Sequence, residues 1–151
     1  MWDFLERLLC SHDHYRRRIE QALELHRRGG ARKDGLQLGN LQHRLEILWR
    51  ARETHPWDRH LPQAVRLARF IEQALVDTEA ALARLFKALP EVDVIVLCVT
   101  DPSTEATVLS GTVTRSDFQS MRPSPSVRMR LSQIGVSLES LDMDYGYQLR
   151  V

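Results

Sequence analysis

One long amphipathic segment constrains this chain more than any other feature of its sequence. From Leu61 to Leu89, apolar residues recur in alternating steps of three and four, and Pro90 follows at once. This spacing places the apolar residues in one stripe along a helix, and such a stripe packs against a partner helix. Other apolar residues lie off the stripe, so we expect a second face to contact either a sheet or another copy of the chain. The stripe consists of Leu61, Ala64, Ala68, Ile71, Leu75, Thr78, Leu82, Leu85 and Leu89.

Two further helices are predicted before this segment. The first predicted helix covers residues 4–28 and carries an apolar stripe with the same spacing. It ends at Gly29, because glycine commonly ends helices. A second, shorter helix is predicted to begin after Asp34 or after Asn40 and to end near His55, because Pro56 disfavours helical geometry in the residue before it. Its apolar stripe consists of Leu38, Leu41, Leu45 and Leu48. The connector to the long helix is short, so the second and third helices are expected to lie antiparallel. The first half of the chain therefore predicts an N-terminal antiparallel three-helix bundle.

The second half of the chain predicts a small, mostly antiparallel β-β-α-β module. Val92–Val99 is nearly continuous and β-branched, which is typical of a strand in the centre of a sheet. Val108–Thr114 predicts a returning antiparallel strand, in which Gly111 marks a bulge or a close approach by another element. A short helix is expected over residues 126–134, and Tyr145–Val151 alternates like a half-buried final strand.

Together these elements predict an α+β fold class. The helical bundle occupies residues 1–89, and the β-β-α-β module occupies residues 90–151, packed on the end or the side of the bundle. One continuous domain is the alternative, because 151 residues suffice for a single core. The first and third predicted helices are longer than the second, so coiled-coil-like apolar surface is left over at their ends.

Composition indicates an ordinary globular protein. The apolar fraction is 43%, the charged fraction is 27% and the net charge is +1. No apolar run approaches the ~20 residues that cross a bilayer, so no membrane partner is expected. The N-terminus also lacks the basic and apolar pattern of a signal peptide. We therefore expect a cytoplasmic protein in which both cysteines are reduced.

Two histidines lie on the predicted seam of the first helix. Such residues are usually satisfied members of a core, but they can also act as polar pins that fix the register of a helix–helix or dimer contact. The histidine and cysteine spacings fit no zinc motif, so no metal and no other cofactor is predicted. The predicted interaction seam comprises His12, His26, Ile71, Leu75 and Leu82.

Basic residues gather in the first helix and in the loop after it. Arginine binds phosphates through paired hydrogen bonds, which makes nucleic-acid binding an alternative function. Cations also favour a helix C-terminus, and three consecutive arginines spread around a helix instead of forming one stripe. A solvated basic face is therefore the competing interpretation. The candidate phosphate contacts are Arg16, Arg17, Arg18, Arg27, Arg28, Arg32 and Lys33.

No catalytic constellation accompanies these features. The serines and threonines of the second half lie in no nucleophile motif, and every histidine precedes residue 61. An enzyme is therefore not expected. The surplus apolar surface favours a protein–protein interaction or structural protein, which acts as a homo-oligomer such as a homodimer or docks another protein. A nucleic-acid-associated protein is the alternative.

Overall fold

The computed structural model describes residues 16–23, 37–38, 43–53 and 56–139. Helix α1 covers residues 16–22 of this part, and a 3-10 helix at Pro56–His60 precedes the longest helix. The other helices are α2 (Gln63–Ala88), α3 (Arg115–Gln119) and α4 (Val127–Gln133). The strands are β1 (Gln37–Leu38), β2 (Arg44–Arg50), β3 (Val94–Thr100), β4 (Thr107–Thr114) and β5 (Val136–Leu138).

The described strands form one mixed sheet in the order β1-β2-β3-β4-β5. β2 and β3 are parallel, whereas the other neighbouring pairs are antiparallel. Parallel neighbours need a crossover connection, and α2 provides it between β2 and β3. The predicted long helix, the predicted central strand and its returning partner are confirmed as α2, β3 and β4. The predicted final strand Tyr145–Val151 lies outside the described residues.

The predicted N-terminal three-helix bundle is wrong. The residues assigned to its middle helix contain β2, which pairs with β3 along its whole length. Leu45, Ile47 and Trp49 are buried, whereas Arg44 and Glu46 are exposed, and an alternation with period two belongs to a strand. The short connector that follows therefore joins a strand to a helix. In the part of the chain that the structure describes, no three helices form a bundle.

Two glycines allow β4 to lie close to the turn that enters β5. A Cβ atom at Gly111 would lie 2.9 Å from the Cα of Val136 and closer still to the carbonyl oxygen of Gly135. Gly135 itself has a φ of +96°, which an L side chain rarely adopts. The close approach predicted at Gly111 is therefore confirmed, and its neighbour is the end of the α4–β5 connection.

One hydrophobic core connects α2 to the sheet. Leu82 of α2, Ile95 of β3 and Val113 of β4 are all fully buried in it, and so is Ile19 of α1. Burying one such side chain contributes roughly 2 kcal/mol to folding. The core therefore draws its apolar residues from both the first and the second half of the chain.

Arg115 holds the C-terminal end of α2. The last carbonyls of a helix have no donor within the helix, so they need partners from elsewhere. The guanidinium of Arg115 donates to the carbonyl oxygens of Phe86 at 2.9 Å, Leu89 at 2.7 Å and Val92 at 2.6 Å. It also lies 4.9 Å from the centre of the Phe86 ring, within the range of a cation–π interaction. A side chain at the start of α3 thereby joins the last turn of α2 to the loop that follows it.

Candidate interaction surface

Helix α2 is longer than the strands on which it packs. Its 26 residues span roughly 39 Å, whereas the seven residues of β2 or β3 span roughly 23 Å. Because Arg115 holds the C-terminal end, the surplus length lies at the N-terminal end. Despite this length, neither α2 nor another helix in the described ranges is apolar enough to cross a membrane.

The apolar stripe of α2 passes from buried to exposed towards this N-terminal end. Leu75, Thr78 and Leu82 are buried, whereas Ala64 and Ala68 are exposed. Steps of three and four place all these positions on one face of the helix. The face that packs on the sheet therefore continues past the core into solvent.

We call residues 56–72 the helical arm. It comprises the 3-10 helix, a short link and the first ten residues of α2. An ion pair of 2.7 Å between Arg69 and Asp58 ties the 3-10 helix to α2, and the amide of Leu61 donates to the carbonyl of Asp58 at 3.0 Å. Trp57 is 77% exposed and Val65 is 40% exposed. The arm thus presents an aromatic side chain and an apolar helix face from one connected unit.

Charges of both signs are mixed along the helical arm. The arm contains three arginines and two acidic residues: Arg59, Arg66, Arg69, Asp58 and Glu72. The ion pair between Arg69 and Asp58 neutralises one charge of each sign. A surface with such a small excess neither attracts a polyanion strongly nor repels a copy of itself. The arm therefore suits an uncharged apolar contact better than an electrostatic one.

The residues of the predicted interaction seam fall into three groups. Leu75 and Leu82 are 6% and 0% exposed inside the core of the chain itself, so they are not accessible to a partner. Ile71 is half-buried and packs against the edge of that core at the base of the helical arm. His12 and His26 lie outside the described residues. The accessible part of the stripe therefore begins at Ile71 and extends towards Ala64.

Three residues of the predicted basic cluster, Arg16, Arg17 and Arg18, are described by the structure, and Arg16 and Arg18 form ion pairs. The guanidinium of Arg18 lies 2.7 Å from Glu91 and also donates to the carbonyl of Ala88, which joins α1 to the end of α2. Arg16 lies 3.5 Å from Glu20, four residues along the same helix. Arg17 is exposed. The other four candidates, Arg27, Arg28, Arg32 and Lys33, lie outside the described residues.

A polar turn occupies the end of β3. One carboxylate oxygen of Asp101 accepts hydrogen bonds from the backbone amide of Ser103 at 2.7 Å, from its hydroxyl at 2.6 Å and from the amide of Thr104 at 3.1 Å. Burial by itself raises the pKa of Asp101, but these hydrogen bonds outweigh it and hold the pKa below its ordinary value. Nearby, Glu105 pairs with Arg50 at 2.6 Å. Within the described ranges, no three His, Cys, Asp or Glu residues are grouped to hold a metal ion.

The size of the residues on the stripe varies between the arm and the core, whereas their spacing does not. Positions on the stripe hold alanine at Ala64 and Ala68, but leucine at Leu82, Leu85 and Leu89. Large apolar residues fill a core, while alanine contributes little apolar area to it. The two alanines thus mark the part of the stripe with the least apolar area, between the large residues Leu61 and Ile71.

Comparison with known proteins adds no family to this description. No protein-family model, no curated protein and no solved structure matches the chain.

Proposed function

We propose that this protein is a protein–protein interaction module that self-associates through its helical arm. The observation that carries the proposal is the exposure of Ala64 and Ala68 on the same helix face that is buried further along α2. An apolar stripe on an exposed helix is a surface that another helix can cover. The exposed Trp57 adds an aromatic side chain of the kind that dominates binding energy at interfaces.

A second copy of the chain is the partner that we propose. Ala64 and Ala68 lie one turn apart, and the distance between two packed helices falls with the size of the side chains at the contact. An identical arm offers the same small residues in return. The mixed charges of the arm do not oppose this contact, because neither sign dominates. Closed pairs of identical surfaces are also the commonest form of oligomer.

The size of the arm sets the expected strength of the contact. Stable interfaces bury about 800 Å² on each partner, which usually takes 20 to 30 residues a side. The helical arm offers fewer apolar side chains than that, so the dimer should be in exchange with the monomer at micromolar or higher concentration. The proposal places this exchange in the cytoplasm, a compartment that suits the free thiol of Cys98.

Sedimentation velocity over a wide concentration range tests this proposal. We expect the wild-type chain to shift from monomer to dimer as concentration rises. Ala68→Glu places a carboxylate in the exposed stripe and should weaken dimerisation at least tenfold, which corresponds to about 1.4 kcal/mol.

Ala83→Glu supplies the matched control, because Ala83 is also an exposed alanine of α2 but lies outside the arm. It should dimerise like the wild-type chain, and circular dichroism should show that both variants keep their helix content. A wild-type chain that stays monomeric at every concentration contradicts the proposal. Equal effects of the two glutamate substitutions would contradict the assignment to the arm.

A further inference from the structure

We draw no further inference here: the strongest candidate, the half-buried apolar face of the sheet formed by Leu48, Val94, Val96 and Cys98, carries nothing because nothing in the structure shows what covers it.

Discussion

At the scale of the residue, Arg115 supplies hydrogen-bond donors to backbone carbonyls at and just after the end of α2. Its planar guanidinium donates to three carbonyl oxygens at once, and no other single side chain has enough donors in the same plane. Each carbonyl left half-buried without a donor would cost about 1 to 3 kcal/mol. One residue at the start of α3 thus supplies donors to Phe86 in the last turn of α2 and to the loop after it. Ala88 accepts from Arg18, and Leu89 also accepts from the amide of Val92.

Arg115→Met should lower the free energy of unfolding by about 3 kcal/mol, because methionine keeps the packing on Phe86 but offers no donor. Arg128→Met is the control, since Arg128 is an exposed arginine of α4. The control should change stability by no more than about 0.5 kcal/mol. Urea unfolding followed by circular dichroism measures both. Equal losses in the two variants would show that Arg115 does not cap α2.

Asp101 should make the stability of the chain depend on pH in the acidic range. Its folded pKa lies below the ordinary value, so its contribution is complete above about pH 4 and is lost as the pH falls through the lower folded value. Asp101→Asn keeps the shape of the turn but removes the charge. We expect the wild-type chain to be more stable than this variant at neutral pH, with the difference shrinking below about pH 4.

Urea unfolding at several pH values between neutral and strongly acidic follows this difference. Ser103→Ala is a useful intermediate, because it removes one hydroxyl donor and leaves the carboxylate and both backbone donors. It should therefore show part of the pH dependence. A constant difference between the wild-type chain and Asp101→Asn at all pH values would contradict the role of the turn.

At the scale of elements, β2 shows why local spacing predicts a helical bundle that does not form. Leu41, Leu45 and Leu48 fit a helical period. Within the same stretch, Leu45, Ile47 and Trp49 fit the period of a strand. Both patterns are short, so local spacing does not decide between them. The parallel pairing with β3 decides, and its residues lie about fifty positions further along the chain.

The long helix, in contrast, was predictable because its periodic pattern is long. Over such a length, the three–four spacing has no competing interpretation as a strand. The nearly continuous β-branched run of β3 and its returning partner β4 were predictable for the same local reason. What these patterns leave open is which surface covers each apolar face, since that depends on contacts between distant residues.

The same substitution at two points of α2 should separate its core from its arm. Leu82 is fully buried, whereas Leu67 is half-buried at the edge of the core. Leu82→Ala should cost about 3 kcal/mol of unfolding free energy, and Leu67→Ala about 1 kcal/mol. Urea unfolding at low protein concentration, where association does not contribute, measures both. Equal costs would mean that the core extends along the arm beyond Phe70, which is already buried in it.

At the scale of the whole molecule, the fold and the proposed interaction surface both depend on the length of α2. The crossover between two parallel strands needs only enough helix to return along the sheet, yet α2 is longer than that return. The sequence predicts self-association from a different surplus, the ends of its first and third predicted helices, measured against a middle helix that is strand β2 in the structure. It does not locate the surplus, because Leu75 and Leu82 look as available as Ala64 until the sheet is known to cover them.

Amide hydrogen exchange at two protein concentrations tests self-association through the helical arm most directly. At the concentration where dimers prevail, we expect the amides of residues 67–72 in the helical arm to exchange more slowly than in dilute solution. Those of residues 75–86 lie in the core and should not change. Ala68→Glu should abolish the slowing, and Ala83→Glu should preserve it. Arm amides that exchange at the same rate at both concentrations would contradict self-association through the helical arm.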